Sequence, residues 1–206
     1  MSGTFEPRPG GGAAVALDQV EISILRSLAV QMLELIGPGD EPAAGGDPLA
    51  ALFAEGPSEP PADPALARLF PDAYGGPDRE LSAEEEVEAR AASSEFRRYT
   101  ETDLRTRKRE DALAVVRALD ALGSDAAASG PAADSAVLEL DPGECTRWLG
   151  ALNDLRLTIG TRLEVTDDED GGELLRLPDS DPRKPMVLAY FWLGGLQESL
   201  VETLMT

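Results

Sequence analysis

The sequence predicts a mainly α protein, a bundle-like or orthogonal set of helices with at most a small N-terminal β-hairpin or short sheet. Three observations predict it. Long stretches carry apolar residues at helical spacing, bracketed by Asp or Ser ahead and Gly or Pro behind. Strand-like segments are few and short. The 206 residues suit one domain, 1–206, interrupted by Pro- and Gly-rich stretches, and no internal repeat is evident.

In chain order, residues 4–8 and 13–17 flank Pro9-Gly10-Gly11-Gly12 and read as a weak hairpin. Asp18 and Glu21 form a capping box before the apolar run Val20, Ile24, Leu28, Met32 and Leu35, a helix that Gly37-Pro38 ends. Residues 37–80 hold much of the proline and glycine, and their composition predicts a partly disordered insertion. Two short helices are expected inside it, at 49–54 and 64–69, each opened by an Asp-Pro pair whose aspartate caps and whose proline takes the first turn. The same pair recurs at Asp141-Pro142 and Asp181-Pro182, where further helices should begin.

Ser82 and Glu85 open a helical stretch that reaches Leu122, with Gly123 as its expected terminator. Forty residues would extend about 60 Å, so a bend or a break is expected near residues 100–106, where apolar side chains are scarce. Residues 123–136 read as a flexible linker, and 137–140 as a strand that pairs with the N-terminal hairpin. A helix from Pro142 to about Leu163, an acidic loop over 166–181 and a terminal helix from about Pro185 to Met205 complete the chain.

Composition narrows the function. The net charge is −21, from 39 acidic and 18 basic residues. That charge argues against direct nucleic-acid binding, which needs a basic surface to displace counterions. The chain has no histidine, which removes Ser–His and Cys–His catalysis and the commonest zinc ligand. One cysteine, Cys145, permits neither an intramolecular disulfide nor a cysteine-based metal site, and it fits a reducing cytoplasm. The N-terminus shows no signal-peptide pattern, and the best apolar run, 187–196, is ten residues, so no membrane span is expected. No cofactor motif and no catalytic constellation is visible, and the chain is expected to be no enzyme. The acidic stretch 167–173 lacks the ligand spacing of a calcium loop.

Four features carry the functional candidates. On a helical wheel centred on Leu152, at about 100° per residue, Trp148, Leu149, Leu155, Ile159 and Leu163 form an apolar stripe about 60° to either side. Asn153 sits at its flank, Asp154 on the far side, and Arg156 about 40° from its centre. A guanidinium there must pair or leave the core, and Glu198 of the terminal helix is its expected ion-pair partner. Cys145 also lies on the stripe. It is either a small core residue or a redox thiol whose pKa a helix N-terminus and Arg147 would lower. Between 97 and 109, Arg97, Arg98, Arg105, Arg107, Lys108 and Arg109 form the one basic concentration, either a partner-binding face or a solvated face paired with nearby glutamates.

The segments WLGALNDLRLTIGTRLEV (148–165) and FWLGGLQESLVETLM (191–205) resemble an actinobacterial family catalogued as domain of unknown function number 2017, as do 5–36 and 63–74. Trp148, Leu152, Asn153, Asp154, Leu155, Ile159, Gly160, Trp192 and Leu196 fall in the paired motif. Some members are described as oxidative-stress transcriptional regulators. The resemblance implies a cytoplasmic regulatory protein that binds a sigma factor or RNA polymerase in a redox-dependent way. Because family genes tend to lie beside that of the ClpS adaptor, it also implies an alternative, an accessory role in Clp-dependent proteolysis. Homo-oligomerisation is left open. With a single cysteine, any oxidant sensing would have to use a sulfenic acid, a mixed disulfide or an intermolecular disulfide.

Overall fold

The computed structural model describes residues 3–38, 56–76, 81–129, 135–165 and 172–205. Among them six helices surround a three-stranded antiparallel sheet, so the fold is mainly α, as its sequence predicts. The strands are β1 (Glu6–Pro7), β2 (Ala13–Leu17) and β3 (Ala136–Leu140), in the order β1-β2-β3. β2 pairs with β3 from Ala13↔Leu140 to Leu17↔Ala136, the pairing expected of residues 137–140. Alternation sends Ala13, Val15, Leu17, Leu138 and Leu140 into the core. The hairpin turn needs glycine: Gly12 has φ 87°, and a Cβ there would strike the Leu140 carbonyl.

The Asp18–Glu21 capping box opens α1 (Gln19–Ile36), and Gly37 at φ 83° closes it. Its buried face is Ile22, Leu25, Ala29, Met32 and Ile36. The run through Val20 and Ile24 is not the core face, since these residues are 65% and 41% exposed. Both rows of α1 are apolar at helical spacing, and the packing of the long helix Ala83–Ser129 on one of them makes the choice.

Asp63 caps α2 (Pro64–Leu69) by accepting from the Ala65 and Leu66 amides, with Pro64 in the first turn as expected. Ala65, Leu69 and Phe70 are buried, and α2 packs on the helix Pro142–Arg162, so this part of the Pro/Gly-rich segment joins the core. The short helix expected at 49–54 lies outside the described residues. Downstream, Ser93 Oγ bonds both the amide and the carbonyl of Tyr74, which ties residues 70–76 to the next helix.

That helix, α3 (Ala83–Ser129), is continuous for 47 residues, about 70 Å. The expected break near 100–106 does not occur, nor does the helix stop at Gly123. It runs through residues 123–129 of the expected linker, and Ala136 already belongs to β3. Ion pairs hold the apolar-poor section. Glu101 is buried between Arg97 and Arg105, each one turn away. Gly56 adds a bond from its amide to the Arg98 carbonyl at 3.0 Å, and a Cβ on Gly56 would come within 2.7 Å of that oxygen.

Another capping box, Asp141 with Glu144, supplements Pro142 at the start of α4 (Pro142–Arg162). Asp181-Pro182 behaves otherwise. Asp181 accepts from the Arg183 amide in a turn, and α6 (Lys184–Leu204) begins after it without a side-chain cap. Between them α5 (Gly172–Leu175) occupies part of the expected acidic loop, most of whose carboxylates lie outside the described residues. α4 is the central element, packed by α1, α2, α3 and α6. Trp148 lies fully buried at its first turns, with Phe5 edge-on at 6.2 Å.

Candidate functional site

The candidate residues divide between two sides of α4. On the α3 side the basic concentration is turned inward. Arg97 is buried and bonds Glu101, Asp72 and the Phe70 carbonyl. Arg105 bonds Glu101 and the Ile36 carbonyl, and its guanidinium lies 4.3 Å from the Phe70 ring centroid. Arg109 donates to the carbonyls of Leu33 and Gly37. α1 has no basic residue in its own last turn, so Arg105 and Arg109 of α3 satisfy and neutralise its C-terminus. Lys108 bonds Asp154 at 2.6 Å. Arg107 is exposed and Arg98 half-buried. As a partner-binding face the stretch is therefore largely consumed by internal bonding.

Asp154 corrects the wheel. It is 3% exposed, not on a solvent face, because α4 is covered on two sides and α3 supplies Lys108 to meet it. Burial is the largest influence on this carboxyl and pushes its pKa up, against the pull of Lys108. Asp111, one turn after Lys108 and beside Gly150, is pushed up for the same reason.

Cys145 is completely buried, its Sγ 4.0 Å from the Leu140 carbonyl. Burial raises its thiol pKa, and the carboxylates of Asp141 and Glu144 add to this. The expected lowering by the helix N-terminus and Arg147 is overridden, and the thiol sits in the position of a core hydrophobe.

On the α6 side Arg156 lies half-buried over Tyr190, its guanidinium carbon 5.3 Å from the ring centroid. Its cross-helix partner is not Glu198, which is exposed, but the residue before it. Arg156 Nη1 donates to Gln197 Oε1 at 2.7 Å. Gln197 in turn donates to Asn153 Oδ1 at 3.4 Å, so Asn153 and Arg156 come together while Asp154 faces elsewhere. Arg156 Nε is buried without a partner among the described residues. Two glycines make room here. A Cβ on Gly160 would lie 3.2 Å from the Tyr190 ring, and one on Gly194 would lie 3.6–3.8 Å from the Arg156 guanidinium.

Arg156, Val165 and Tyr190 form the shared wall of two adjoining cavities, about 750 and 560 Å³. The first runs along α6 past Phe191, Gly194, Glu198 and Val201. The second reaches Arg68 of α2, Asn153, Thr161 and Glu164. Glu164 closes α4 with φ 56°, a left-handed conformation uncommon outside glycine. Leu152, Leu155, Ile159 and Leu196 are core beneath this cleft. Trp192 is partly buried, with its indole Nε1 sealed and unpartnered. Sequence reasoning missed Tyr190, Gln197 and Arg68. The first two follow Arg156 only once the helix pairing is known, although the small residues Gly160 and Gly194 signal a close approach.

The family described as Domain of unknown function (DUF2017) matches residues 1–204. Across 203 aligned residues the chain is 30% identical to the "Oxidative stress regulator AosR" of Mycobacterium tuberculosis (strain ATCC 25618 / H37Rv), covering 97% of this chain and 85% of that protein. The protein of the same name from Mycobacterium bovis (strain ATCC BAA-935 / AF2122/97) matches equally. No solved structure matches the chain. With its helical core, its paired α4–α6 motif and this near full-length agreement, the chain belongs to the family of Domain of unknown function (DUF2017).

Proposed function

We propose that this protein is a non-enzymatic cytoplasmic regulator of an oxidative-stress response that acts by binding the transcription machinery, a sigma factor or RNA polymerase itself. The observation that carries the reading is the 30% identity to regulators of that name over 97% of the chain. The geometry supports contact through protein surface rather than nucleic acid, because four of the six basic candidates are engaged inside the molecule. The thiol of Cys145 is enclosed, so in the folded chain the oxidative signal reaches the regulator through its partner and not through this residue.

The test is affinity capture from actinobacterial lysate under oxidising and reducing conditions, with the native chain and Cys145→Ser. The expected result is a sigma factor or polymerase subunit recovered equally by both forms. Recovery by neither form in either condition defeats the reading. Recovery of Clp components instead moves the protein to proteolysis.

A further inference from the structure

We propose that the Arg156 cleft between α4 and α6 docks a segment of a protein partner through one acidic residue. The partner's carboxylate would sit on Arg156 and Arg68, and a neighbouring apolar side chain would pack on Tyr190, Val165 and Phe191. The inference deepens the partner-binding reading above and rests on it.

Charge complementarity carries the argument. A guanidinium has five N–H donors, and a half-buried one ordinarily meets a carboxylate. Arg156 is held by a neutral amide, Gln197, and by the face of Tyr190, and it has no ion pair among the described residues. Nε is desolvated without an acceptor, and Nη2 has no hydrogen bond or ion pair among the described residues. Nη2 is the donor left for a ligand, and a carboxylate bonding it makes a charge-assisted hydrogen bond that the neutral Gln197 amide does not supply.

The protein has carboxylates in plenty, yet Glu198 on the neighbouring position stays in solvent. Gly160 lets the supporting ring lie against α4, and Gly194 lies alongside the guanidinium. Arg68 stands in the second cavity, exposed and without an ion pair among the described residues. Two arginines without an ion pair among the described residues thus line adjoining cavities in a chain of net charge −21.

The walls decide the ligand class. Tyr190, Val165, Phe191 and Val201 offer apolar area, while Glu164, Glu198 and Glu202, which also line the cavities, repel a polyanion. A single acidic residue in an apolar context fits; a nucleic acid or a run of acidic residues does not. The cavities adjoin across Arg156, Val165 and Tyr190, so a ligand on Arg156 can reach both.

The experiment follows the Arg156 Nε–Hε resonance of the full chain, assigned by its loss in Arg156→Lys. The probes are the capped tripeptide Ac-Leu-Glu-Leu-NH₂, its Gln counterpart and 4-phenylbutyrate, each titrated through the millimolar range. The Glu peptide is expected to shift the resonance and to bind about tenfold tighter than the Gln peptide. Arg156→Met should abolish that preference. Arg68→Gln, an exposed change that leaves the core alone, should weaken it severalfold.

No shift, or equal affinity for the two peptides, overturns the proposal. So does an unchanged preference in Arg68→Gln and Arg156→Met. If 4-phenylbutyrate binds as tightly as the Glu peptide, the cleft is a small-acid site and docking is overturned. Capture from lysate separates the two levels. A partner recovered equally by the native chain and by Arg156→Met leaves the regulatory reading standing and removes this one. Peptide discrimination without a transcription partner does the reverse.

Discussion

At the scale of single residues the decisive pair is Lys108–Asp154. A carboxyl that is 3% exposed accepts from one ammonium group at 2.6 Å, which favours its ionised form, and burial works against it. Breaking such a pair leaves an uncompensated charge, whereas replacing both partners by apolar groups removes the desolvation cost as well. Lys108→Met should therefore destabilise the fold by about 3–5 kcal/mol, and Lys108→Met with Asp154→Leu should recover most of that loss in chemical denaturation. If the double variant is no better than the single one, the pair is not what compensates Asp154. The sequence showed part of this and hid the rest. Arg156 stood out because it lies within an apolar stripe. Asp154 did not, because a wheel drawn for one buried face assigns the opposite face to solvent, and α4 has a second covered face. Gln197 was passed over for Glu198 because opposite charges suggest an ion pair, but one residue along a helix is about 100° of rotation, and that rotation aims Glu198 outward.

At the scale of elements the long helix α3 is the instructive case. Few apolar residues near its middle argued for a bend, and helices usually keep their order through an apolar stripe. Here charge substitutes for that stripe. Glu101 accepts from Arg97 and Arg105, Arg97 reaches back to Phe70 and Asp72, and Arg105 and Arg109 cap α1. One network therefore locks α3 to two other segments. Such wiring is illegible from spacing alone, since the same i, i+4 pattern describes a solvated helix face. Caps were legible because they are local. Asp18–Glu21, Ser82–Glu85, Asp63-Pro64 and Gly37 all serve as the sequence suggests. Removing the acceptor should expose the dependence. Glu101→Ala leaves Arg97 buried beside Asp72 alone, and a loss of about 3 kcal/mol is expected. Amide hydrogen exchange should then show protection lost across residues 97–109 and at the C-terminal turn of α1 together. Loss confined to the immediate neighbours of residue 101 would mean that the arginines do not couple the two helices.

For the molecule as a whole, charge sets the pH response. The net charge of −21 makes the folded chain repel itself, and acidification relieves this as carboxylates take up protons. Two carboxyls, the buried Asp154 and the half-buried Asp111, act in the same sense. Loss of solvent, the largest influence on each, raises the folded pKa of Asp111 and Asp154 above the unfolded value. The native state then binds protons more readily than the unfolded chain between those two values. Their contribution to stability is fully present below the unfolded pKa and is lost as pH rises through the folded pKa. Asp120 and Asp181, hydrogen-bonded to Arg26 and Arg183, are lowered and act oppositely, but both pairs are solvated and contribute little. The melting temperature should accordingly rise as pH falls from neutral toward the ordinary carboxylate range, and added salt should raise it most at neutral pH, where the repulsion is largest. Asp111→Asn removes one of these two titrations without touching the Lys108–Asp154 bond. It should raise the neutral-pH melting temperature by about 2 °C, a shift of the size that ~1 kcal/mol gives in a chain of this length, and flatten the rise on acidification. A melting temperature that falls steadily from neutral pH downward would show that solvated pairs such as Arg26–Asp120, and not Asp111 and Asp154, govern the pH dependence of the fold.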